Sequence, residues 1–309
     1  MSGVDGLLLL DKPAGPTSFE VVRRVRRWLK VRKVGHLGTL DPFATGLLPL
    51  ALGEATKLSP FLMEADKTYL AVVKLGEETD TQDLTGRVVA KSDRLPEPRE
   101  VIRAAARFVG EIEQTPPLYS AVHYQGQRLY KLARQGLAVA PPPRRVVIHC
   151  LEVQDIALPE VTLLVVCGKG TYIRTLAADL GRALGCGAHL KALRRLAVGP
   201  FRVEEALPLA DLEFLSREEL AQRLIPLADC LPGLKPVAVA AGEAERLSRG
   251  QAVPVQANGL AEGELVRVLE EGRLLAVAAV QAGERQTLLA PKRVFHRGRQ
   301  PGDSDRPPA

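Results

Sequence analysis

Extended apolar runs and helical stretches follow one another along this chain without the regular alternation of a doubly wound sheet. "KTYLAVVKLG", "GRVVAK", "RRVVIHCLEVQDI" and "EVTLLVVCGKG" read as strands, and so do the four leucines of "GLLLLDK". "TSFEVVRRVRRWLK", "PREVIRAAARFVG" and "TYIRTLAADLGRALG" read as helices, the last ending at a glycine. The mixture predicts an α+β fold: a mixed, largely antiparallel sheet with flanking helices. "EETDTQDLT", between the first two strands, reads as a polar loop.

From about Leu234 the texture changes. "PVAVAAGEAERLSRGQAVPV" and "ELVRVLEEGRLLAVAAV" predict short strands, one short helix and a hairpin turning at Glu271-Gly272. At 309 residues and 46% hydrophobic composition the chain can fill two cores. The predicted division is one domain over 1–232 and a small β-rich domain over 233–295. The tail 296–309 is too poor in apolar residues to anchor and is expected to be disordered.

Several classes are excluded early. No apolar run approaches the roughly 20 residues of a membrane span, and the leucines near the start lack a basic flank or a cleavage site. Cys150, Cys167, Cys186 and Cys230 are scattered, which suggests neither a disulfide framework nor a thiolate zinc site. A cytoplasmic protein without membrane attachment is the expectation. Cys186 with His189 is at most half a metal site, and Asp80 with Asp83 lacks calcium-loop spacing. No metal and no cofactor is expected.

Charge is uneven. The formal net charge is +6, yet residues 12–35 hold eight cations, Lys12, Arg23, Arg24, Arg26, Arg27, Lys30, Arg32 and Lys33, against Glu20. A concentrated basic face fits a polyanion, because each neutralised phosphate releases counterions. Within this segment Thr17 and Glu20 form a capping-box pattern, and Val21, Val22, Val25, Trp28 and Leu29 follow helical spacing. The helix should pack its valines and Trp28 inward while Arg23, Arg24, Arg27 and Lys30 face outward. "IEQTPPLYSAVHYQGQRLYKLARQGL" interleaves Tyr119, Tyr124 and Tyr130 with His123, Arg128, Lys131 and Arg134, a pattern suited to an RNA-contacting insertion.

"RKVGHLGTLDPFATGLLPL" places a lone acid, Asp41, among small, apolar and basic residues. Pro42 restricts its backbone, and Gly35, Gly38 and Gly46 bracket it with permissive joints. The loop is therefore shaped, and its carboxylate can be aimed. Spacing alone is equally served by an Asx turn or a helix cap.

"GHLGTLDPFATGLLPLALGEATK" resembles the catalytic loop of the TruB family of tRNA pseudouridine-55 synthases. Further blocks agree in that family's order: "LLLLDKPAGPTS", "DKTYLAVVKLGEETDT", "PPLYSAVHYQGQRLYKLARQG", "GKGTYIRTLAADLG" and "GAHLKALRRLAVGPF". They reach from Leu7 to about Phe201, with weaker similarity to a PUA domain beyond Leu234. The resemblance implies a cofactor-independent isomerase that breaks the glycosidic bond of uridine 55 in the tRNA T-loop, turns the base and rejoins it through carbon. Asp41 matches the essential aspartate, a nucleophilic or covalent role open to carboxylates. Arg174 is implied to pair with Asp41, lowering its pKa and keeping it ionised. Tyr69, Tyr172 and Leu193 would line the pocket of the flipped base, and His36 would fill the gap it leaves. Lys12 is implied to support the loop, and Asp83 to contact Arg174 from behind.

The partner implied is tRNA, held at its T-arm and at its acceptor end, with the protein acting as a monomer. Arg23, Arg24, Arg27, Lys30 and Arg128 are the expected RNA backbone contacts. A non-catalytic tRNA-binding or tRNA-folding protein is the alternative, since the basic helix, the tyrosine insertion and the C-terminal unit would suffice for it. Asp41, Arg174 and Tyr69 discriminate, because a carboxylate facing a polyanion serves no purpose in binding alone.

Overall fold

The computed structural model describes residues 4–295 apart from 121–122, 125, 130–131, 133–134, 136–138, 140, 257–258 and 284–285. The tail 296–309 lies outside the described residues, as do Tyr130, Lys131 and Arg134 and the side chains of His123, Tyr124 and Arg128.

The first part of the chain supplies β1 (Gly6–Lys12), β2 (Val34–His36), β3 (Thr45–Leu52), β4 (Lys67–Leu75), β5 (Glu77–Thr79), β6 (Val88–Lys91) and β7 (Gly110–Gln114). The short pair β8 (His123–Tyr124) and β9 (Gln127–Arg128) follows, then β10 (Arg144–Ala157), β11 (Glu160–Cys167), β12 (Ala188–Val198), β13 (Phe201–Arg202) and β14 (Leu207–Pro208). The helices are α1 (Ser18–Leu29), α2 (Ser59–Leu62), α3 (Pro98–Ala106), α4 (Ile173–Ala183), α5 (Arg217–Gln222) and α6 (Ala241–Ser248). Among the described residues a ten-stranded sheet runs β14-β1-β3-β12-β4-β11-β10-β7, with β2 on β3 and β13 on β12. Its pairs are antiparallel except β1–β14 and β3–β12.

The four leucines of β1 divide by strand alternation. Leu8 and Leu10 join the core under α1, α3 and α4, whereas Leu7 and Leu9 join a second cluster on the other face. In α1 the capping box forms with both reciprocal bonds, and Val21, Val22, Val25 and Leu29 are buried. Trp28 departs from the expected inward position. It stands at the edge of the apolar stripe in the last turn and stays 37% exposed. Two assignments also shift towards strand. Glu77–Thr79, read as loop, pairs with β6, and Gly110–Gln114, read partly as insertion, is the edge strand beside β10.

The C-terminal part forms a five-stranded sheet, β15 (Lys235–Ala238), β17 (Leu265–Glu270), β18 (Arg273–Ala282), β19 (Thr287–Val294) and β16 (Val253–Val255), in that order. The turn at Glu271 and Gly272 has positive φ at both residues (48° and 77°), as a tight hairpin between right-twisted strands requires. This sheet has its own cluster around Leu247, Val266, Val268 and Val280. It also shares one: Leu274, Val277 and Phe295 pack with Leu7, Leu37, Leu47 and Ala51 of the large sheet and its loops. Lys57 crosses the same seam, donating to the Val294 carbonyl at 3.2 Å with its ammonium 5.9 Å from the Phe295 ring centre. No described helix is long and apolar enough to cross a membrane.

Candidate active site

Asp41 stands in the loop between β2 and β3, and three neighbours shape that loop. The Ser18 hydroxyl, in the first turn of α1, donates to the Leu40 carbonyl (3.0 Å) and accepts from the Leu40 N–H (2.9 Å). Lys12 ends β1 with a fully buried ammonium that donates to the carbonyls of Pro13 (2.9 Å), Pro42 (3.2 Å) and Ala44 (2.7 Å). Arg195, from β12 and 1% exposed, donates to Leu47 (2.7 Å), Gly38 (3.1 Å) and Thr39 (3.5 Å) carbonyls. Both ends of the loop are thus tied to one guanidinium.

Two glycines make this possible. Gly38 (φ 110°) and Gly46 (φ 99°) take backbone conformations that side chains oppose. At Gly46 a Cβ would stand 2.3 Å from the Arg195 carbonyl oxygen, so β3 and β12 could not meet there with any other residue. Gly35 is not a joint: it lies inside β2, paired with Ala51.

Arg174 sits in the first turn of α4, where the helix dipole disfavours a cation. Two carboxylates compensate. Its Nε lies 3.0 Å from Asp41 Oδ2 and its Nη2 is 3.4 Å from Oδ1, while Nη1 lies 3.5 Å from Asp83 Oδ2. Nη2 also donates to the Tyr119 carbonyl at 3.0 Å, which brings the insertion to the site. The residue before this turn is fixed by Gln114, whose side-chain amide both accepts from the Tyr172 N–H (2.9 Å) and donates to its carbonyl (3.2 Å). Tyr172 itself is half-buried at the helix N-cap.

Tyr69 on β4 and Leu193 on β12 are each 8% exposed and share the core cluster under the helices. Arg195 lies opposite Tyr69 in the strand register. His36 ends β2, half-buried, and its Nδ1 has no hydrogen-bond partner among the described residues; neither has the buried Ser120 Oγ.

The electrostatics correct one expectation. Burial raises the Asp41 carboxyl above its ordinary range, and this outweighs the pull of Arg174; the Asp83 charge pushes the same way as burial. Burial likewise brings the Lys12 ammonium down to about 8 against the attraction of Asp41, and lowers His36 towards its neutral form. The Tyr69 phenol is raised by burial and stays protonated. The arrangement is a half-exposed carboxylate, oriented by a guanidinium, beside a protonated phenol and an aliphatic wall.

Arg23, Arg24 and Arg27 on α1 and Lys30 at its C-cap are exposed, and Arg23, Arg26, Arg27, Lys30 and Arg32 line a basic concavity of about 410 Å³. β9 carries Arg128, whose side chain lies outside the described residues. Arg195 escaped the sequence reading. The signal was present in "LKALRRLAV": adjacent arginines on a strand point to opposite faces, so one of Arg194 and Arg195 must turn inward. Arg194 turns outward, to Asp11 at 2.6 Å.

Comparison with known proteins identifies the fold and the family. The fold matches a chain of a Cbf5–Nop10–Gar1 complex with a TM-score of 0.75 and 30% identity, covering 95% of this chain and 86% of that one. A chain of an H/ACA RNP bound to a substrate RNA containing 2'-deoxyuridine matches with a TM-score of 0.73 and 27% identity, covering 95% and 86%. Residues 26–173 match the N-terminal domain of TruB family pseudouridylate synthases, 174–231 the tRNA pseudouridylate synthase B C-terminal domain, and 236–295 the C-terminal region of pseudouridine synthase II TruB. The class is therefore that of the pseudouridine synthases. Within it, the chain belongs to the TruB family: it is 49% identical to tRNA pseudouridine synthase B of Dechloromonas aromatica over 94% of this chain and 95% of that protein. The protein of the same name from Ralstonia nicotianae is 48% identical over 95% of each.

Proposed function

We propose that this protein is a tRNA pseudouridine synthase that isomerises uridine 55 of the T-loop, with Asp41 as the carboxylate that engages the flipped nucleotide. It is an isomerase, converting uridine in tRNA to pseudouridine. The observation that carries the residue assignment is the placement of Arg174 between Asp41 and Asp83. A structural ion pair needs one carboxylate. Here the buried Asp83 anchors the cation, and the half-exposed Asp41 can be presented to a substrate in an otherwise basic region.

A uridine must leave its stack to reach Asp41, at a cost of about a few kcal/mol. In this reading the Tyr69 ring and Leu193 receive the base, Tyr172 closes the pocket, and His36 stacks where the base was, each stacking contact contributing about 1–3 kcal/mol. Tyr69, held protonated, can exchange a proton with the base. Lys12 and Asp83 hold the loop and the arginine. Residues 1–232 carry the chemistry; residues 233–295, as a PUA-like unit, grip the acceptor end. The protein works as a monomer in the cytoplasm, where its substrate is.

Incubating the protein with tRNA, digesting the product and locating pseudouridine by the mass shift after chemical derivatisation tests the proposal. Modification at position 55 by the wild type, absent with Asp41→Asn, is the expected result. Modification at another site, or none in folded protein, overturns it.

A further inference from the structure

Resting on that reading, we infer that α1 is a track for the RNA strand entering the site, with Phe19 as a stacking platform at the end nearest Asp41. Phe19 is 65% exposed, which costs free energy for a large ring unless something covers it. It stands at the first turn of α1, one residue beyond Ser18, and Ser18 is the residue whose hydroxyl is bonded twice to Leu40. A second stitch, from the Gly15 N–H to the Pro42 carbonyl at 2.8 Å, holds the same approach to the helix. The backbone that carries Phe19 is therefore held beside the loop that carries Asp41.

Helical spacing does the rest. At 100° per residue, Phe19, Arg23 and Arg26 fall within about 60° of one another, on the side turned away from the buried Val21 and Val25, with Arg27 alongside and Lys30 at the C-cap just beyond the helix. From Phe19 to Arg26 the stripe runs about 10 Å, at 1.5 Å per residue. Its far end is the basic concavity lined by Arg23, Arg26, Arg27, Lys30 and Arg32. Glu20, whose carboxylate accepts from the Thr17 N–H (2.7 Å) and hydroxyl (2.9 Å) in the capping box and feels the Arg23 charge, offsets one cation and leaves the row in excess. One apolar ring followed by a row of cations has the order of a single strand: phosphates on the cations, a base or ribose on the ring. An acidic peptide or an anionic membrane would match the cations but gives no reason for one ring at the catalytic end.

Binding of tRNA, and separately of inorganic polyphosphate, is measured across salt concentration for full-length wild type, Phe19→Ala, Phe19→Tyr and the triple variant Arg23→Gln, Arg26→Gln, Lys30→Gln. Because Phe19 is exposed, Phe19→Ala should fold as wild type. Phe19→Ala is expected to weaken tRNA binding by about 5- to 30-fold with an unchanged salt slope, as loss of one stacked base predicts. Phe19→Tyr should restore it, and polyphosphate binding should not respond to either. The triple variant should flatten the salt slope for both ligands by about 2, as loss of phosphate contacts requires. If wild type forms pseudouridine while Phe19→Ala binds tRNA within twofold of it, the track is overturned and the catalytic reading stands. If wild type forms none but Phe19→Ala still loses affinity, the catalytic reading falls and the track stands. A loss of polyphosphate binding in Phe19→Ala would show that the ring shapes the helix instead of stacking, and would also overturn the inference.

Discussion

Asp83 and Asp41 reach the Arg174 guanidinium from two different loops, at 3.5 and 3.0 Å, yet the two loops treat their carboxylates differently. Asp83 is 4% exposed, and its Oδ1 accepts from the Thr81 hydroxyl (2.7 Å), the Thr85 N–H (2.9 Å) and the Thr85 hydroxyl (2.5 Å). Its Oδ1 is spent on its own turn, and its Oδ2 faces Arg174. Asp41 is half-exposed and, among the described residues, its carboxylate is bonded by Arg174 alone, while Ser18, Lys12 and Arg195 bond the backbone around it. The contrast teaches how a protein separates holding a carboxylate from presenting one: one loop satisfies the side chain, the other satisfies the backbone and leaves the side chain available.

The most damaging way to break this contrast is Asp41→Asn. Single-turnover pseudouridine formation should fall at least about 10³-fold, roughly 4 kcal/mol of barrier, with the tRNA Kd within about threefold. Turnover above one part in a hundred would remove Asp41 from the chemistry. Next, Arg195→Met should strand the Leu47, Gly38 and Thr39 carbonyls and cost about 3 kcal/mol in urea unfolding, with kcat down about 100-fold. A stability loss with kcat within threefold would mean that the loop needs no such bracing to present Asp41.

Asp83→Asn should cost about 2 kcal/mol of stability and about tenfold in kcat, whereas Asp41→Asn should leave stability within about 1 kcal/mol of wild type. The sign follows from the raised Asp41 carboxyl. Ionising it costs the folded state above the ordinary carboxylate range, and that cost fades as pH falls, so a neutral side chain forfeits nothing near neutrality. Chemical denaturation of the two variants side by side checks this, and equal losses would contradict it. The smallest expected effect is on pH. With ionised Asp41 as the active form, kcat/KM should rise with pH along an acid limb displaced above the usual aspartate range. In Asp83→Asn this limb should move to lower pH, because the Asp83 charge helps to raise Asp41. An unmoved limb would uncouple the two loops.

Much of this arrangement was legible in the residues. The Thr17–Glu20 cap, the valines of α1 and the turn at Glu271-Gly272 are local devices, and local chemistry reads well from sequence. The Asp41 loop was legible through its glycines and proline, and through the length of the motifs around it. What was hidden depends on distant partners. Trp28 has helical spacing for burial, but at the edge of the apolar stripe it stays partly exposed. The direction of the Asp41 shift depends on burial, which a sequence does not display, and on Asp83, 42 positions away by numbering. Arg195 could be narrowed only to one of two neighbours, because the choice between Arg194 and Arg195 is made by the register of β12 on β3 and β4.

The seam between the two sheets bears on modularity. Leu37 and Leu47 flank the Asp41 loop, and both pack in the cluster that holds Leu274, Val277 and Phe295. The C-terminal sheet is thus part of the floor on which the Asp41 loop rests. A lineage that exchanged this unit for another RNA-binding fold would have to keep an apolar face of the same relief at the same place. Whatever grip on RNA the sheet provides, its freedom to diverge lies on the faces turned away from β1 and β3.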